Sequence, residues 1–214
     1  MAYIGKVPTA VPLSTNDLAD SIVTSAKITD GTIALADLSA TGTKDATTFL
    51  RGDNTFAEAG GGGITEADQW RITAAHSVTT SETTVTNNWE RNDTNFSVLG
   101  TGMTESSGIF TFPSTGIWYL SFHGMMTGNL NDYGGIRIGV STDGGSNYTT
   151  LSEAYQNGFR TAAYSSPSAN LMLDVDNVSN VKVRFNVIAN DTLNLMGSTN
   201  ANYTWVNFIR LGDT

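Results

Sequence analysis

Two histidines, His76 and His123, are the only side chains of this sequence whose unperturbed pKa suits a general base near neutral pH. A catalytic histidine also needs a nucleophile and an orienting group beside it, an arrangement recognised by geometry rather than by sequence position. His123 follows a run of aromatic and aliphatic residues that is typical of a core strand. We therefore interpret His123 as a core or interface residue rather than as a base.

Acidic residues offer two further kinds of chemistry, glycoside hydrolysis and calcium binding. A glycosidase needs two carboxylates, and candidates stand at Asp132, Asp143, Glu153, Asp174 and Asp176. Asp174, Asp176 and Asn177 surround one turn with the oxygen ligands that calcium prefers. Aspartate is also common in turns because it hydrogen-bonds the local backbone, and the spacing matches no calcium-binding loop. The sequence thus predicts no enzyme and no cofactor, with a glycan depolymerase and a calcium ion as the alternatives.

The elements that would position these residues are β-strands. Beyond Ile64 the sequence alternates short apolar runs with turn residues and shows no helical period. We predict roughly eight to ten strands in an antiparallel sandwich or jelly roll. The residues predicted to fill its core or a subunit interface are Trp118, Leu120, Phe122, Tyr203, Trp205 and Phe208.

Three turns are predicted to connect these strands. Residues 113–116 would close a hairpin between the strands that carry Phe112 and Trp118, and Asp143-Gly144-Gly145 would close a second one. Asp176-Asn177 would join a further strand pair. Two of the strands are apolar on both faces, so their second face must be covered by the other sheet or by a neighbouring subunit. We therefore expect an oligomer.

Charge and composition limit the partners. The 214 residues include 20 acidic and 11 basic residues, giving a formal net charge of -9, and 39% are hydrophobic. Binding to nucleic acid or anionic lipid needs clustered cations, and a membrane span needs about 18 unbroken apolar residues. The sequence has neither, nor the plan of a signal peptide. We predict no nucleic-acid partner, no membrane insertion and synthesis in a cytoplasm.

The first sixty residues have a different pattern. Large aliphatic residues return every four to six positions, too far apart for one face of a helix and too irregular for a strand. This apolar row consists of Leu18, Ile22, Ile28, Ile33 and Leu38. Asp30-Gly31 and Thr41-Gly42 end two copies of a degenerate repeat of about ten residues. Either the segment is a disordered linker, or several identical chains bury the row together, which the regular spacing favours.

Two short motifs follow the repeat. Arg51-Gly52-Asp53 is interpreted as a bend before Asn54 rather than as a cell-adhesion signal, because a three-residue match is unspecific. Residues 60–63 are four glycines and are predicted to form a flexible joint. We place a domain boundary there, with residues 1–63 as a stalk or attachment segment and residues 64–214 as a head.

The N-terminal motifs resemble those of tail fibres and related virion appendages of tailed phages, especially marine ones. The matching stretches are "MAYIGKVPTAVPL", "TSAKITDGTIALADL" and "TTFLRGDNTFAEAGGGG", which are similar to the family's T-A-K-I-x-D-G-x-I and FLRGDGTF segments. The resemblance implies that the N-terminal part attaches to the virion and that the C-terminal domain points outward. This chain carries barely two repeats, so it would form a short appendage.

The head resembles a second family, the C1q and tumour-necrosis-factor-like jelly rolls. The segment "GIFTFPSTGIWYLSFHGMM" is similar to the family's Y-x-V-P-x-x-G-x-Y-x-F-x-F stretch, and "ANLMLDVDNVSNVKVRF" to its L-x-L-x-x-G-D-x-V-x-V pair. The resemblance implies a ten-stranded jelly roll that assembles as a trimer around its apolar faces. The chain departs from the family in having Asn177 at the turn and no collagen stalk.

Together these observations predict a homotrimeric virion appendage whose stalk binds other virion proteins and whose head contacts a host surface glycan or protein. The loop residues expected to make that contact are Asn131, Asp132, Tyr133, Tyr155, Gln156 and Asn157. Tyrosine supplies contact area at low entropic cost, and asparagine and aspartate hydrogen-bond sugars. A capsid head fibre or decoration protein without a dedicated receptor is the main alternative.

Overall fold

A computed structural model describes residues 19–58, 63–79, 81–94, 96–128, 133–157 and 163–214 of the chain. The chain divides into two compact units, Met1–Gly62 and Gly63–Thr214. Among the described residues the only helical elements are two short 3-10 turns, and no helix is long and apolar enough to cross a membrane. The prediction of an all-β protein is confirmed.

The first unit shows the repeat as a repeated local structure. Its 3-10 turns span Ser25–Lys27 and Leu35–Asp37, and they are followed by a hairpin of strands β1 (Thr48–Leu50) and β2 (Phe56–Glu58). Gly42 has φ +90°, and a Cβ atom there would collide with the carbonyl oxygen of Phe56. Only glycine therefore fits at the end of the second repeat.

The Arg51-Gly52-Asp53 motif lies in the turn of this hairpin. The backbone N–H of Arg51 donates to the carbonyl of Thr55 at 2.8 Å, and one carboxylate oxygen of Asp53 accepts from the hydroxyl of Thr55 at 2.6 Å. That hydrogen bond lowers the pKa of Asp53 below its ordinary value. The motif thus forms a bend, as predicted.

The second unit contains fifteen described strands. They are β3 (Ala67–Ile72), β4 (His76–Val78), β5 (Ser81–Thr84), β6 (Trp89–Arg91), β7 (Thr104–Ser106), β8 (Ile109–Thr111), β9 (Gly116–His123), β10 (Met126–Gly128), β11 (Tyr133–Ser141), β12 (Thr149–Asn157), β13 (Ala163–Ser165), β14 (Ser168–Val175), β15 (Lys182–Ala189), β16 (Leu193–Leu195) and β17 (Trp205–Gly212). The number of strands exceeds the predicted eight to ten for two reasons. Short strands in residues 64–108 show little alternation of apolar and polar residues, and Gly124 separates β9 from β10.

Two antiparallel sheets form the sandwich. The five-stranded sheet has the order β14-β9-β17-β3-β6, and the six-stranded sheet has the order β12-β11-β15-β8-β7 with β5 also paired to β15. A smaller sheet has the order β13-β10-β16-β4, and its strand β10 is separated from β9 by Gly124 and Met125. Neighbouring strands are mostly far apart in sequence, which is the arrangement of a jelly roll.

An aromatic cluster joins the inner faces of the two large sheets. Phe110 of β8 is fully buried, and its ring centroid lies 5.2 to 5.6 Å from those of four other aromatic residues. These partners are Trp70, Trp89, Phe185 and Phe208. Aromatic pairs at this spacing stabilise the folded state beyond the contribution of their buried area. Phe110 and Phe208 come from different sheets, so their contact holds the sandwich together.

Two of the three predicted strand pairs are wrong. Strands β8 and β9, which flank residues 113–116, belong to different sheets, and so do β14 and β15, which flank Asp176-Asn177. Inward-facing residues alternate in the same way whether two strands pair edge to edge or pack face to face, so the sequence pattern does not separate the two cases. Phe112 and Trp118 indeed meet across the core at 5.2 Å. The hairpin at Asp143-Gly144-Gly145, between β11 and β12, is confirmed.

Candidate functional site

The outward side of the five-stranded sheet carries a row of apolar and aromatic residues. Register aligns Ile209 of β17 with Tyr119 of β9, and Tyr119 in turn with Met172 of β14. Met172 is 59% exposed, and the other two are half-buried. We call this surface, together with His123 and Trp205, the open face.

His123 and Trp205 form a stack at one end of the open face. Their ring centroids are 4.2 Å apart with an interplanar angle of 16°, and Ser168 Oγ lies 3.3 Å from His123 Nε2. Burial lowers the pKa of His123 below its ordinary value. The neutral ring can therefore rest on the aromatic surface of Trp205 at neutral pH, which is a structural role.

Two of the predicted receptor-contact residues come together on the six-stranded sheet. Tyr133 and Tyr155 are 38% and 44% exposed and meet edge to face with ring centroids 5.6 Å apart. Arg137 donates to the hydroxyl of Tyr155 and pairs with Glu82 at 2.6 Å. Although burial alone would lower the pKa of Arg137, the hydrogen bonds to Tyr155 and Glu82 raise it above its ordinary value. The pair offers aromatic surface beside a fixed cation.

The other predicted contact residues divide into two groups. Gln156 and Asn157 are exposed at the end of β12. Asn131 and Asp132 lie outside the described residues, so their predicted contribution remains a prediction.

The residues predicted to fill the core or a subunit interface also separate. Trp118, Leu120, Phe122 and Phe208 are at most 1% exposed within a single chain. Trp205 is half-buried on the open face, whereas Tyr203 is 43% exposed before the start of β17. The first four therefore belong to the core of one chain, and only the last two have surface to offer a partner.

In the first unit, the apolar row is largely uncovered. Ile22, Ile28 and Ile33 are 42%, 40% and 57% exposed, and Leu38 is half-buried. Leu18 lies outside the described residues. Burying such side chains in water-excluding contacts is favourable, so this row offers a surface for association.

Two of the acidic residues considered for chemistry, Asp143 and Glu153, have local partners. Asp143 accepts hydrogen bonds from the Asn147 side chain and backbone, which lower its pKa to about 2, and Glu153 pairs with Arg137 at 2.9 Å. Asn177 accepts from the backbone N–H of Ser179 at 2.8 Å, which is an Asx turn. Within the described part of the chain, no group of three or more His, Cys, Asp or Glu residues is placed to hold a metal ion.

A cavity of about 360 Å³, which sequence reasoning missed, lies where β3 meets two loops. We call it the amide cavity, and its principal lining residues are Gln69, Arg71, Asn92, Phe96, Asn200 and Asn202. Their positions span more than half of the second unit, and no motif connects them. Only the folded register of β3 against β6 and β17 assembles them.

The amide cavity is built on a nearly buried arginine. Arg71 is 1% exposed and pairs with Glu90 at 2.6 Å and with Asp93 at 2.9 Å. Its Nη1 donates to Asn92 Oδ1 at 3.1 Å. Gln69 Oε1 accepts from Asn92 and from Asn202, the latter at 2.7 Å. These bonds fix the amide groups in place.

Comparison with known proteins supports the fold class. No model of a protein family matches the chain, and no curated protein has a significant sequence match. Among solved structures, Eiger TNF from S. frugiperda is similar with a TM-score of 0.56 and 12% identity, over 71% of this chain and 96% of that one. Murine APRIL at pH 8.0 is similar with a TM-score of 0.50 and 17% identity, over 68% of this chain and 98% of that one. The predicted jelly roll of the C1q and TNF-like type is therefore confirmed for the head.

Proposed function

We propose that the protein is a homotrimeric, non-enzymatic virion appendage of a tailed phage. Its first unit attaches to other virion proteins, and its jelly-roll head contacts the host surface. The observation that carries this proposal is that both units leave apolar residues uncovered in a single chain. One threefold association of identical chains would cover both surfaces.

In the first unit, the apolar row supports the proposal. Ile22, Ile28 and Ile33 follow one another at intervals of six and five residues, and each is at least 40% exposed. A single copy of this segment cannot bury these side chains itself, since each repeat contains only a 3-10 turn and a bend. Parallel copies of the chain would place equivalent residues side by side around a common axis. The similarity to phage appendage motifs lies in these same residues.

In the head, the open face supports the proposal. Its centre has no charged residue in the row formed by Ala67, Ile209, Tyr119 and Met172. Depletion of charge with enrichment in aromatic residues and methionine is typical of the core of a protein interface. For a chain with a net charge of -9, self-association through an uncharged surface avoids contact between like charges. A second and third copy are therefore the occupants that fit the open face.

Host contact is assigned to the part of the head that the open face does not use. The Tyr133–Tyr155 pair lies on the opposite sheet and stays accessible when the open face is covered. The test is attachment of the labelled full-length protein to host cells, and competition of the same protein with phage adsorption. Saturable attachment that blocks adsorption is expected, whereas absence of both would refute the adhesive role.

The location of the protein on the particle separates this proposal from a capsid decoration protein. Immunogold electron microscopy with antibodies against the head would label the tail or baseplate if the adhesive role is correct. Labelling confined to the capsid would instead support decoration without a dedicated receptor. Release of oligosaccharide from host envelope material would contradict the non-enzymatic role.

A further inference from the structure

We propose that the amide cavity binds one neutral sugar residue of a surface glycan. The inference deepens the proposed function, because its biological meaning rests on contact between the head and a host surface. The site itself differs from the loops predicted from the sequence, since it lies on β3, on the residues that follow β6 and on the loop that precedes β17.

The hydrogen-bonding groups of the cavity match hydroxyl groups. A sugar hydroxyl donates one hydrogen bond and accepts others, so its site needs both kinds of partner in close proximity. Four of the five N–H groups of Arg71 have acceptors among the described residues, which leaves one N–H of Nη1. Asn202 uses its Nδ2 on Gln69, which leaves its Oδ1 as an acceptor. A donor and an acceptor thus belong to two lining residues of the same cavity.

These groups are held in position before any ligand arrives. Gln69 donates to Asn207 Oδ1 at 2.7 Å while its own oxygen accepts from two asparagines. Asn92 is 6% exposed, and its Oδ1 also accepts from the backbone N–H of Thr94 at 3.1 Å. Preorganised polar groups reduce the entropic cost of binding. The network therefore serves recognition as well as the local fold.

An aromatic side chain forms the apolar part of the cavity. Phe96 is 37% exposed and lies among the lining residues. The C–H groups on one face of a sugar ring pack on an aromatic ring, while the hydroxyl groups around its edge take the polar partners. A volume of about 360 Å³ is near the lower end of small-molecule sites, which suits one sugar residue of a longer chain.

The charges around the cavity exclude acidic sugars. The single cation, Arg71, is paired with two carboxylates, those of Glu90 and Asp93, so the local sum is one negative charge. The chain as a whole has a net charge of -9. A uronate or a phosphate group would be repelled, whereas a neutral hexose or N-acetylhexosamine would not. This argument restricts the ligand class to neutral sugars.

Saturation-transfer NMR on the full-length protein tests the inference. The probes are glucose, galactose and N-acetylglucosamine, each hexose being compared with its own uronate. We expect at least one neutral sugar to bind and its uronate to bind about tenfold more weakly or not at all. Phe96→Ala and Asn202→Ala should weaken binding of the neutral sugar about tenfold or more. Binding of no neutral sugar, or equal binding of the uronate, would overturn the proposal.

Matched control variants locate the site. Phe49→Ala removes a phenylalanine that is 62% exposed in the first unit, and Asn180→Ala removes an exposed asparagine in the turn between β14 and β15. Both should leave sugar binding unchanged. If the two control variants lose sugar binding while Phe96→Ala and Asn202→Ala retain it, the amide cavity is the wrong site.

Cell attachment distinguishes failure of this inference from failure of the proposed function. If wild-type protein attaches to host cells and the two cavity variants attach equally well, the cavity inference fails and the adhesive role stands. If wild-type protein binds a neutral sugar through the cavity but attaches to no host cell, the adhesive role fails and the sugar site stands.

Discussion

If the protein is the proposed trimer, replacing Met172 by glutamate should dissociate it without unfolding the head. Met172 points outward from β14 and is 59% exposed. Full burial of a methionine side chain contributes roughly 1.5–3 kcal/mol. The exposed share is then about 1–2 kcal/mol per subunit and about 3–5 kcal/mol for three copies. At 1.4 kcal/mol per factor of ten, its loss alone lowers the association constant by about two to four powers of ten.

Sedimentation velocity over a range of concentrations measures this effect. Wild-type protein should run as a trimer, and Met172→Glu should shift to monomer with unchanged circular dichroism, because a charge at the interface adds a desolvation penalty. The matched control is Ile109→Glu, an apolar residue 36% exposed on β8 of the other sheet, which should remain trimeric. A wild-type monomer, or a Met172→Glu trimer as tight as the wild type, would refute the assignment of the open face.

Two further predictions concern stability. Asp68 is 2% exposed and pairs with Arg91 at 3.0 Å, so Asp68→Ala should lower the free energy of unfolding, measured with urea, by about 3–5 kcal/mol. The Asp93 side chain is 76% exposed, so Asp93→Ala should lower it by less than about 1 kcal/mol. Equal losses would contradict the importance of the buried pair. Burial lowers the pKa values of His76 and His123 below 6.5, so the unfolded chain takes up protons first, and stability should fall as pH drops below about 6.5. The double variant with asparagine at both histidines should lose this pH dependence between about pH 5 and pH 7, and an unchanged slope would exclude these histidines as its source.

Alternation and turn chemistry in the sequence were enough for the class of fold and for the long strands of the head. Trp118, Leu120 and Phe122 all lie on the inner face of β9, as their period of two requires. The same alternation could not tell which strands pair, because Phe112 and Trp118 meet across the core instead of belonging to one hairpin. Pairing is decided by contacts between residues far apart in the chain, on which local pattern carries no information.

The binding surface was less predictable than the fold. Tyr133 and Tyr155 were found as exposed aromatic residues near turns, and register places them on neighbouring strands. The amide cavity had no local signal, since Gln69 and Asn202 are ordinary polar residues 133 positions apart. Arg71 carries no local signal either, and the fold makes it one of the largest fully buried side chains. Long-range pairing, rather than residue type, creates this site.

The register of the five-stranded sheet connects the two proposed surfaces. Gln69 of the amide cavity pairs with Asn207, Asn207 with Ser121, and Ser121 with Asn170, which gives one polar row across four strands. The adjacent row, which contains Met172, is apolar. A subunit that covers the apolar row would lie next to the polar row, whose side chains already bind each other at the β3 end. A neighbouring subunit on the open face would therefore lie beside Gln69 without adding to the cavity, so the Met172→Glu monomer should bind a neutral sugar at least as strongly as the trimer does.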